Sequence, residues 1–263
     1  MDKIKAIFLD FDWTLFDHKV RDFNKKGIEG LKKAYENGVK LIINSARSNY
    51  SLKGLNTFNL LPIDGRIVSN GGAAIFDGKV LYADLFPINL SNEFIKLLND
   101  NNFSYNIVTL ENNYIKATNK DIVNDFYQVF YEPFPLDISL YKNEEVLAIQ
   151  VLCYEKDEKL VKEFSEKHHL LYNRFAENNV EITTKEFVKS KGIETIYNYL
   201  NLKKDEAMAF GDDLNDIPMF HIVKYGICMG NGKDEAKKEA FYVTDNIEND
   251  GLYKALKYFD VIN

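Results

Sequence analysis

Two carboxylates at the end of an apolar run are the residues best placed to do chemistry in this chain. Asp10 and Asp12 follow the apolar residues at 7–9, and Thr14 adds a hydroxyl two residues further on. A short run that is apolar throughout is typical of a strand buried on both faces. Residues two apart in an extended chain point the same way, so Asp10 and Asp12 are expected to converge on one point.

Two anions held this close repel each other, so either one is protonated or a cation lies between them. A hard cation with oxygen ligands, Mg2+ above all, suits such a pair. The cation could orient a phosphate against one carboxylate, which would then attack the phosphorus as a nucleophile. The same spacing also occurs in acidic turns that follow a strand, and from these residues that alternative stays open.

The elements that follow predict a parallel sheet. Helical spacing favours a helix over 25–37, closed by Gly38. A second buried strand over 39–43 ends in the polar residues 44–47. Strand, helix, strand predicts a parallel pair with a right-handed crossover. Ser45 would then lie near Asp10 at the edge where open α/β sheets bind ligands, although a serine at this point is also typical of a helix cap.

The pattern of predicted strands and helices changes at about Pro87, and the earlier pattern returns at Lys191. Residues 87–184 alternate short strands and helices with a mixed or antiparallel character. Later, a predicted helix over 192–200 is followed by a strand that ends in GDDLND at 211–216. We therefore predict an α/β fold. Its Rossmann-like parallel sheet core is formed by residues 1–86 and 185–263, and an α+β domain over 87–184 is inserted into it.

Composition limits the partners. The 263 residues carry a formal net charge of -7, which argues against nucleic-acid binding. No apolar run approaches the roughly 20 residues of a membrane span, and the N-terminal segment shows no signal-peptide pattern. Cys153 and Cys228 lie in apolar runs, typical of buried thiols in a reducing compartment. We expect a cytoplasmic protein, whose oligomeric state the sequence does not indicate.

Polar clusters recur at the predicted strand ends and helix starts in one order. In the types and the order of these clusters, the chain resembles the haloacid dehalogenase superfamily of phosphohydrolases. It is most similar to the Cof-type members, which carry a large α/β cap between the second and third motifs. The resemblance rests on DFDWTLF at 10–16, NSAR at 44–47, SNGG at 69–72, SKG at 190–192, GDDLND at 211–216 and MGNG at 229–232.

The resemblance implies a role for each acid. Asp10 would be the nucleophile. Asp12 would be the general acid for the leaving oxygen and then the base for the attacking water, with its backbone carbonyl facing the metal. Asp212 would complete a Mg2+ site with Asp10, although GDDLND by itself also suits a calcium-type loop or a helix cap. Asp216 is expected to orient Lys191 or its loop rather than to bind the metal.

The resemblance also implies the groups that hold the phosphate. Lys191 would neutralise charge on the phosphoryl oxygens and keep Asp10 ionised. Lys189 competes for this role, and Lys191 is preferred because Gly192 and a predicted helix follow it directly. Ser45 would donate a hydrogen bond to a phosphoryl oxygen, and Asn215 would face the phosphate or the water shell of the metal. The SNGG run is expected to be structural.

Several residues near the acids depart from the family pattern or are open to two interpretations. Trp13 stands where the family usually has a small residue, often glycine. Its ring could wall the site, stack on substrate or pack under the cap. Ala46 replaces a usual glycine after Ser45. Arg47 could touch the substrate or pair with an acid. No histidine is assigned to catalysis, and His18 is the one near the first motif.

The leading hypothesis is a Mg2+-dependent phosphatase that hydrolyses small phosphorylated metabolites, sugar phosphates first, through an aspartyl-phosphate. The cap would close over the substrate and exclude bulk water. Two alternatives remain open. One is a phosphotransferase or phosphomutase that uses the same aspartyl-phosphate, and the other is a non-catalytic sensor of a phosphorylated ligand. The sequence does not identify the substrate, because the residues that select it would lie in the cap.

Overall fold

The computed structural model of the chain describes residues 3–185 and 187–263. The strands, numbered in chain order, are β1 (Ala6–Leu9), β2 (Phe16–Asp17), β3 (Asp22–Phe23), β4 (Lys40–Asn44), β5 (Gly65–Val68), β6 (Ala73–Phe76), β7 (Lys79–Ala83), β8 (Ser104–Thr109), β9 (Asn113–Lys116), β10 (Leu136–Asp137), β11 (Val146–Leu152), β12 (Leu171–Ala176), β13 (Asn179–Thr183), β14 (Ala207–Gly211), β15 (Tyr225–Cys228) and β16 (Tyr242–Val243).

The α-helices are α1 (Lys25–Glu36), α2 (Asn49–Gly54), α3 (Thr57–Leu60), α4 (Ile88–Asp100), α5 (Lys120–Phe130), α6 (Lys159–Lys167), α7 (Lys189–Tyr199), α8 (Ile217–Ile222), α9 (Asp234–Glu239) and α10 (Gly251–Tyr258). None of the helices in the described ranges combines the length and the apolar composition that crossing a bilayer requires.

The described chain divides into two compact units. The first comprises residues 3–47, Asn56–Tyr82 and Phe187–Asn263, and the second comprises Ser48–Leu55 and 83–185. The second unit thus begins four residues before the predicted start of the insertion at 87. It also takes in Ser48–Leu55, which the sequence pattern assigns to the core.

The first unit holds an eight-stranded sheet, in the order β16-β15-β14-β1-β4-β5-β6-β7 among the described residues. The strands from β16 to β5 are parallel, and β6 runs antiparallel to β5. Central β1 sets the register, because Leu9 pairs with Phe210 of β14 on one side and with Ile43 of β4 on the other. The three strands therefore end at the same level, and the predicted α/β fold class is confirmed.

Burial explains why β1 lies in the middle of this sheet. All four of its residues are fully buried, as the unbroken apolar run predicts. On one face a hydrophobic cluster joins Phe8, Ile42 and Ile67 of the strands to Ile193 of α7 and Met219 of α8. Each such side chain contributes about 1.5–3 kcal/mol on burial. The first charged residue after the run therefore marks the edge of the core.

The second unit contains a six-stranded sheet in the order β10-β9-β8-β11-β13-β12 within the described ranges. Its neighbouring strands are antiparallel, except for the parallel pair of β9 and β10. Phe94 of α4 and Phe164 of α6 stack at 4.6 Å between ring centroids and share one hydrophobic cluster with Ile107 and Ile149 of the sheet. The predicted mixed α+β character of the insertion is thus observed.

The two cysteines are buried free thiols, as predicted. Burial raises the pKa of the Cys153 thiol to about 11 and that of the Cys228 thiol to about 12. A thiol with so high a pKa stays protonated near neutral pH, and the protonated form is a poor nucleophile. Thiol chemistry therefore has no place in the function of these two residues.

Candidate active site

Three neighbouring strand ends bring the predicted acids together. Asp10 follows β1, Asp212 follows β14, and Ser45 follows β4. Asp10 continues the β1 ladder by donating its backbone N–H to the Phe210 carbonyl at 2.9 Å. Asp10, Asp212 and Ser45 are all buried. The register of the sheet, rather than any local motif, places residues about two hundred positions apart at one edge.

The cation at this edge is Lys189. Its Nζ donates to Asp10 Oδ1, and also to Asp216 Oδ1 at 2.7 Å. Lys189 is the first residue of α7 and is 2 % exposed. Burial alone would lower the pKa of its ammonium, but the two carboxylates outweigh that effect and raise it. A lysine held in this way is a fixed positive charge beside Asp10.

The choice of Lys191 for this position is therefore corrected. Lys191 Nζ instead lies over the ring of Tyr82, 4.3 Å from its centroid. The error came from the start of the helix, which was predicted at 192 but lies at Lys189. Residues two apart on a helix are separated by about 200° around its axis, so Lys189 and Lys191 point to opposite sides of α7.

The SNGG loop supports the backbone that carries Lys189. A Cβ on Gly71, whose φ is +98°, would overlap the Val188 carbonyl oxygen, and a Cβ on Gly72 would lie 2.6 Å from the Phe187 ring. The Tyr82 hydroxyl also donates to the Gly71 carbonyl. Close backbone approach of this kind requires glycine. The loop therefore sets the start of α7 by direct packing, in keeping with the structural role expected for it.

Asp216 organises the acidic loop around itself. Its Oδ2 accepts the backbone N–H groups of Asp212 at 2.9 Å and Asp213 at 3.0 Å, while its Oδ1 accepts from Lys189. It is completely buried. A Cβ on Gly211 would lie 2.5 Å from its carboxyl carbon, so this approach also depends on glycine. Asp216 therefore holds its loop, as one of the two expectations has it, but the lysine that it contacts is Lys189 and not Lys191.

Among the described residues, Asp10, Asp212 and Asp216 form a group whose carboxylate oxygens lie within 4.8 Å of one another. Burial, followed by repulsion from Asp216, raises the pKa of Asp10 well above its ordinary value and that of Asp212 to about 7. Lys189 offsets this only in part. A divalent cation would relieve the repulsion, and oxygen-only donors suit Mg2+. The residues present therefore fit the predicted ion.

Asp12 lies beside this group but has different partners. Arg47 donates to it from Nε at 3.1 and 3.0 Å and from Nη2 at 2.8 Å, and His18 Nε2 lies 2.6 Å from Oδ1. Burial would raise the pKa of Asp12, but the hydrogen bonds from His18 and Arg47 outweigh burial and lower it. Of the two interpretations of Arg47, pairing with an acid is the one observed.

Trp13 has a left-handed backbone, with φ at +61°. This conformation favours glycine and costs a larger residue roughly 1–2 kcal/mol. Asn231 Nδ2 donates to the Trp13 carbonyl at 2.9 Å, and Asn231 Oδ1 accepts from the Ile247 N–H. The ring lies 5.1 Å from that of His18, between centroids, and is 36 % exposed.

The two other phosphate-binding candidates have definite positions. Ser45 is fully buried, and its Oγ accepts the backbone N–H of Arg47 at 3.1 Å. Asn215 is exposed, and its Nδ2 donates to Asn70 Oδ1 at 3.3 Å. Ser45 therefore belongs to the strand-end group, whereas Asn215 joins the acidic loop to the SNGG loop. Their roles toward phosphate stay predictions.

Sequence reasoning missed two contacts of this site. For Lys189 a signal existed, because a lysine in the first helical turn opposes the helix dipole and calls for acidic partners. For His18 no spacing rule applied. The short hairpin of β2 and β3, in which Phe16 pairs with Phe23, returns the chain so that His18 reaches Asp12.

Comparisons with known proteins identify a family and relatives. A family model described as haloacid dehalogenase-like hydrolase matches residues 7–256. The 5-amino-6-(5-phospho-D-ribitylamino)uracil phosphatase YcsE of Bacillus subtilis is 25 % identical over 260 residues, 97 % of this chain and 96 % of its own.

Solved structures extend the agreement to the fold. A sugar phosphatase of HAD subclass IIB is 28 % identical with a TM-score of 0.72, over 98 % of this chain and all of its own. A protein of Geobacillus kaustophilus has a TM-score of 0.85 at 23 % identity, over 98 % of this chain and all of its own, and shows the fold. With a family match over nearly its whole length, the chain belongs to the haloacid dehalogenase-like hydrolases.

Proposed function

We propose that this protein is a Mg2+-dependent phosphatase of small phosphate esters, sugar phosphates foremost, that works through an aspartyl-phosphate on Asp10. The observation that carries the proposal is the buried group of Asp10, Asp212 and Asp216 with Lys189 bound to Asp10. The names of a ribitylaminouracil phosphatase and a sugar phosphatase among its relatives support this substrate class.

Asp10 and Asp212 would hold the ion, with the backbone carbonyl of Asp12 as the third predicted ligand and Asp216 behind them. When bound, Mg2+ supplies positive charge that orients the phosphate and stabilises its developing negative charge. Lys189 supplies a second fixed charge on the same carboxylate. Ser45, Lys189 and Asn215 are the proposed partners of the phosphoryl oxygens, with Lys189 in place of Lys191.

The first step forms a bond between an Asp10 carboxylate oxygen and phosphorus while the bond from phosphorus to the ester oxygen breaks. Asp12, which is ionised while it is paired with Arg47 and His18, takes up a proton when substrate draws it from Arg47. It gives that proton to the ester oxygen, and the alcohol leaves. In the second step Asp12 takes a proton from water as the water oxygen attacks phosphorus. The bond to Asp10 then breaks, which restores the carboxylate and releases inorganic phosphate.

Each of the two alternatives differs from this scheme in one respect: the acceptor of the phosphoryl group in one, and the presence of all the reacting groups in the other. A phosphotransferase or phosphomutase would give the phosphoryl group to a second hydroxyl instead of water, and product analysis distinguishes them. A non-catalytic sensor would be expected to lack one of the reacting groups, whereas Asp10, Asp12 and Lys189 are all in place. No contact of the described residues favours either alternative.

Trp13 and Arg47 stay candidates for contact with the leaving group. The Trp13 ring is partly exposed beside Asp12, so it could pack against an ester group. Arg47 is 6 % exposed and engaged with Asp12, so its contribution would come through that acid. The buried free thiols fit the predicted cytoplasmic location.

The test is phosphate release from a panel of phosphorylated metabolites and p-nitrophenyl phosphate, with Mg2+ and with a chelator. We expect turnover that requires the ion and that Asp10→Asn lowers by at least about a thousandfold, because it removes the nucleophile. Asp22→Asn, an exposed residue of β3, is the matched control. Undiminished turnover by Asp10→Asn would show that Asp10 is not the nucleophile.

A further inference from the structure

His18 has a fixed orientation next to the proposed acid. Its ring lies 5.1 Å from the Trp13 ring and 5.2 Å from the Phe16 ring, between centroids, the latter edge-on at 81°. Its Nε2 lies 2.6 Å from Asp12 Oδ1. Because an ionised carboxylate only accepts hydrogen bonds, Nε2 carries the hydrogen of this contact.

The two donors hold Asp12 in different ways. Arg47 reaches both carboxylate oxygens through Nε, at 3.1 Å to Oδ1 and 3.0 Å to Oδ2, and it reaches Oδ1 also through Nη2 at 2.8 Å. His18 contacts Oδ1 alone. Arg47 is itself buried over the ring of Phe11, 5.4 Å from the centroid. The carboxyl group is thus held from two separate elements, the segment after β4 and the hairpin that follows β1.

We infer that His18 is a positioning residue for Asp12 in the protonation of the leaving group, an inference that rests on the proposed function. To give a proton to the ester oxygen, one oxygen of Asp12 must turn from Arg47 toward that oxygen. His18, together with Arg47 Nη2, keeps Oδ1 anchored while Oδ2 leaves Arg47 Nε and makes the transfer. The proton passes from Asp12 to the ester oxygen as the bond from phosphorus to that oxygen breaks, and His18 neither gains nor loses a proton overall.

The same geometry gives Trp13 a role. A glycine at position 13 would satisfy the left-handed backbone, but it would leave one face of the His18 ring uncovered. The indole ring and Phe16 together restrict the imidazole to the orientation that reaches Oδ1. The bulky residue at this position therefore acts on Asp12 through His18, by holding the donor in place.

Leaving groups separate this role from a merely structural one. p-Nitrophenolate leaves without a proton, whereas the alkoxide of glycerol 2-phosphate needs one. The ratio kcat/KM reports the steps up to loss of the leaving group, so the later attack of water does not enter it. A positioning defect at Asp12 should therefore lower kcat/KM for glycerol 2-phosphate and spare p-nitrophenyl phosphate.

The variant His18→Phe keeps the ring and removes the donor, and His18→Gln restores a donor. We expect His18→Phe to lower kcat/KM for glycerol 2-phosphate about tenfold, a part of the usual contribution of general acid catalysis, with little change for p-nitrophenyl phosphate. His18→Gln should recover part of the loss. The control is His221→Phe, since His221 is exposed and pairs with Glu239 at 3.0 Å.

Equal losses on both esters, or no loss on either, would overturn the inference. If thermal melting shows that His18→Phe is not folded, His18→Gln carries the test, and equal kinetics to wild type on both esters would then count against a positioning role. Failure of the wild-type protein to release phosphate from either ester with Mg2+ would instead overturn the proposed function, and the inference with it.

Discussion

Two clusters of charge, one in each unit, are each built around buried carboxylates and differ in how their charges are matched. In the second unit, which holds the Glu158 cluster, Glu158 accepts from Arg174, Lys162 and the Tyr172 hydroxyl. In the first unit, the Lys189 cluster comprises Lys189 with Asp10, Asp212 and Asp216. Among the described residues, the Glu158 cluster thus has two cations for one carboxylate, and the Lys189 cluster has one cation for three.

The Glu158 cluster is satisfied as it stands. Burial would raise the pKa of Glu158, but hydrogen bonds from Lys162, Tyr172 and Arg174 outweigh it and lower the pKa to about 2. Arg174 also donates to the carbonyls of Ala176 at 3.1 Å and Glu177 at 2.8 Å, which ties down the turn after β12. Glu158 is 2 % exposed. This is the pattern of a structural network.

The Lys189 cluster is not satisfied, since the pKa values of Asp10 and Asp212 are raised rather than lowered. Burial and mutual repulsion are the causes, and one ammonium does not cancel them. A purely structural cluster gains nothing from surplus buried charge, whereas a site that must bind a cation and a phosphate depends on it. The comparison teaches that the balance of buried charge, more than its presence, distinguishes a functional cluster from a structural one.

Removing the cation of the Lys189 cluster should have the largest effect. We expect Lys189→Met to lower kcat about a thousandfold, because it removes a fixed charge from Asp10 and from the transferring phosphoryl group. Steady-state phosphate release with Mg2+ measures this. Circular dichroism checks that the variant is folded.

The matched control is Lys191→Met, which removes the same residue type from the same helix start. Lys191 lies over the Tyr82 ring. A cation–π contact at an exposed site contributes about 0.5–1 kcal/mol and does not involve Asp10, so we expect turnover close to that of wild type. A larger loss for Lys191→Met than for Lys189→Met would reverse the assignment of the lysine.

Breaking the Glu158 cluster should change stability and leave catalysis intact. Glu158→Gln leaves the half-buried Arg174 guanidinium without its carboxylate, which costs about 1.5–3 kcal/mol. Chemical denaturation measures the loss, and kcat at a temperature where the variant is folded should match wild type. Glu163→Gln on the same helix is the control, since Glu163 is exposed and lies 3.7 Å from Lys159. A fall in kcat with no loss of stability would mean that the Glu158 cluster is functional.

The sequence predicted the elements of the core closely, because buried strands and helices have a clear spacing of apolar residues. The strand predicted over 39–43 is β4 shifted by one residue, and the helix predicted over 25–37 is α1 with one residue fewer. The acids followed from strand order, since parallel strands that end together must bring their next residues together. This part of the candidate site is a consequence of the fold class.

The features that the sequence did not predict depend on where a single helix begins and on a short hairpin. The start of α7 was placed three residues late, and this exchanged Lys191 for Lys189. Helix starts depend on local hydrogen bonds that competing residues can offer, and the contact of His18 with Asp12 depends on a hairpin with no strong pattern.

The smallest predicted effect is a dependence of stability on pH that differs between the two clusters. Asp212 has a pKa of about 7 in the folded chain against an ordinary value of 3.8. Its contribution to stability is therefore full below its unfolded pKa and is lost as pH rises through about 7. Glu158 has a lowered pKa, so its contribution is full above its unfolded value of 4.5 and is lost only as pH falls toward about 2.

Between about pH 6 and about pH 8, the contribution of the Lys189 cluster to the stability of the fold should therefore fall, while that of the Glu158 cluster stays constant. We expect the metal-free protein to lose about 1 kcal/mol over this range, or about 2–4 °C in Tm. Mg2+ should reduce the loss, since it binds the ionised carboxylates. Thermal melts in a chelator and in Mg2+ measure both effects, and Asp212→Asn should flatten the metal-free profile. A profile equally steep in Asp212→Asn would place the titrating group elsewhere and remove the link between surplus charge and the metal.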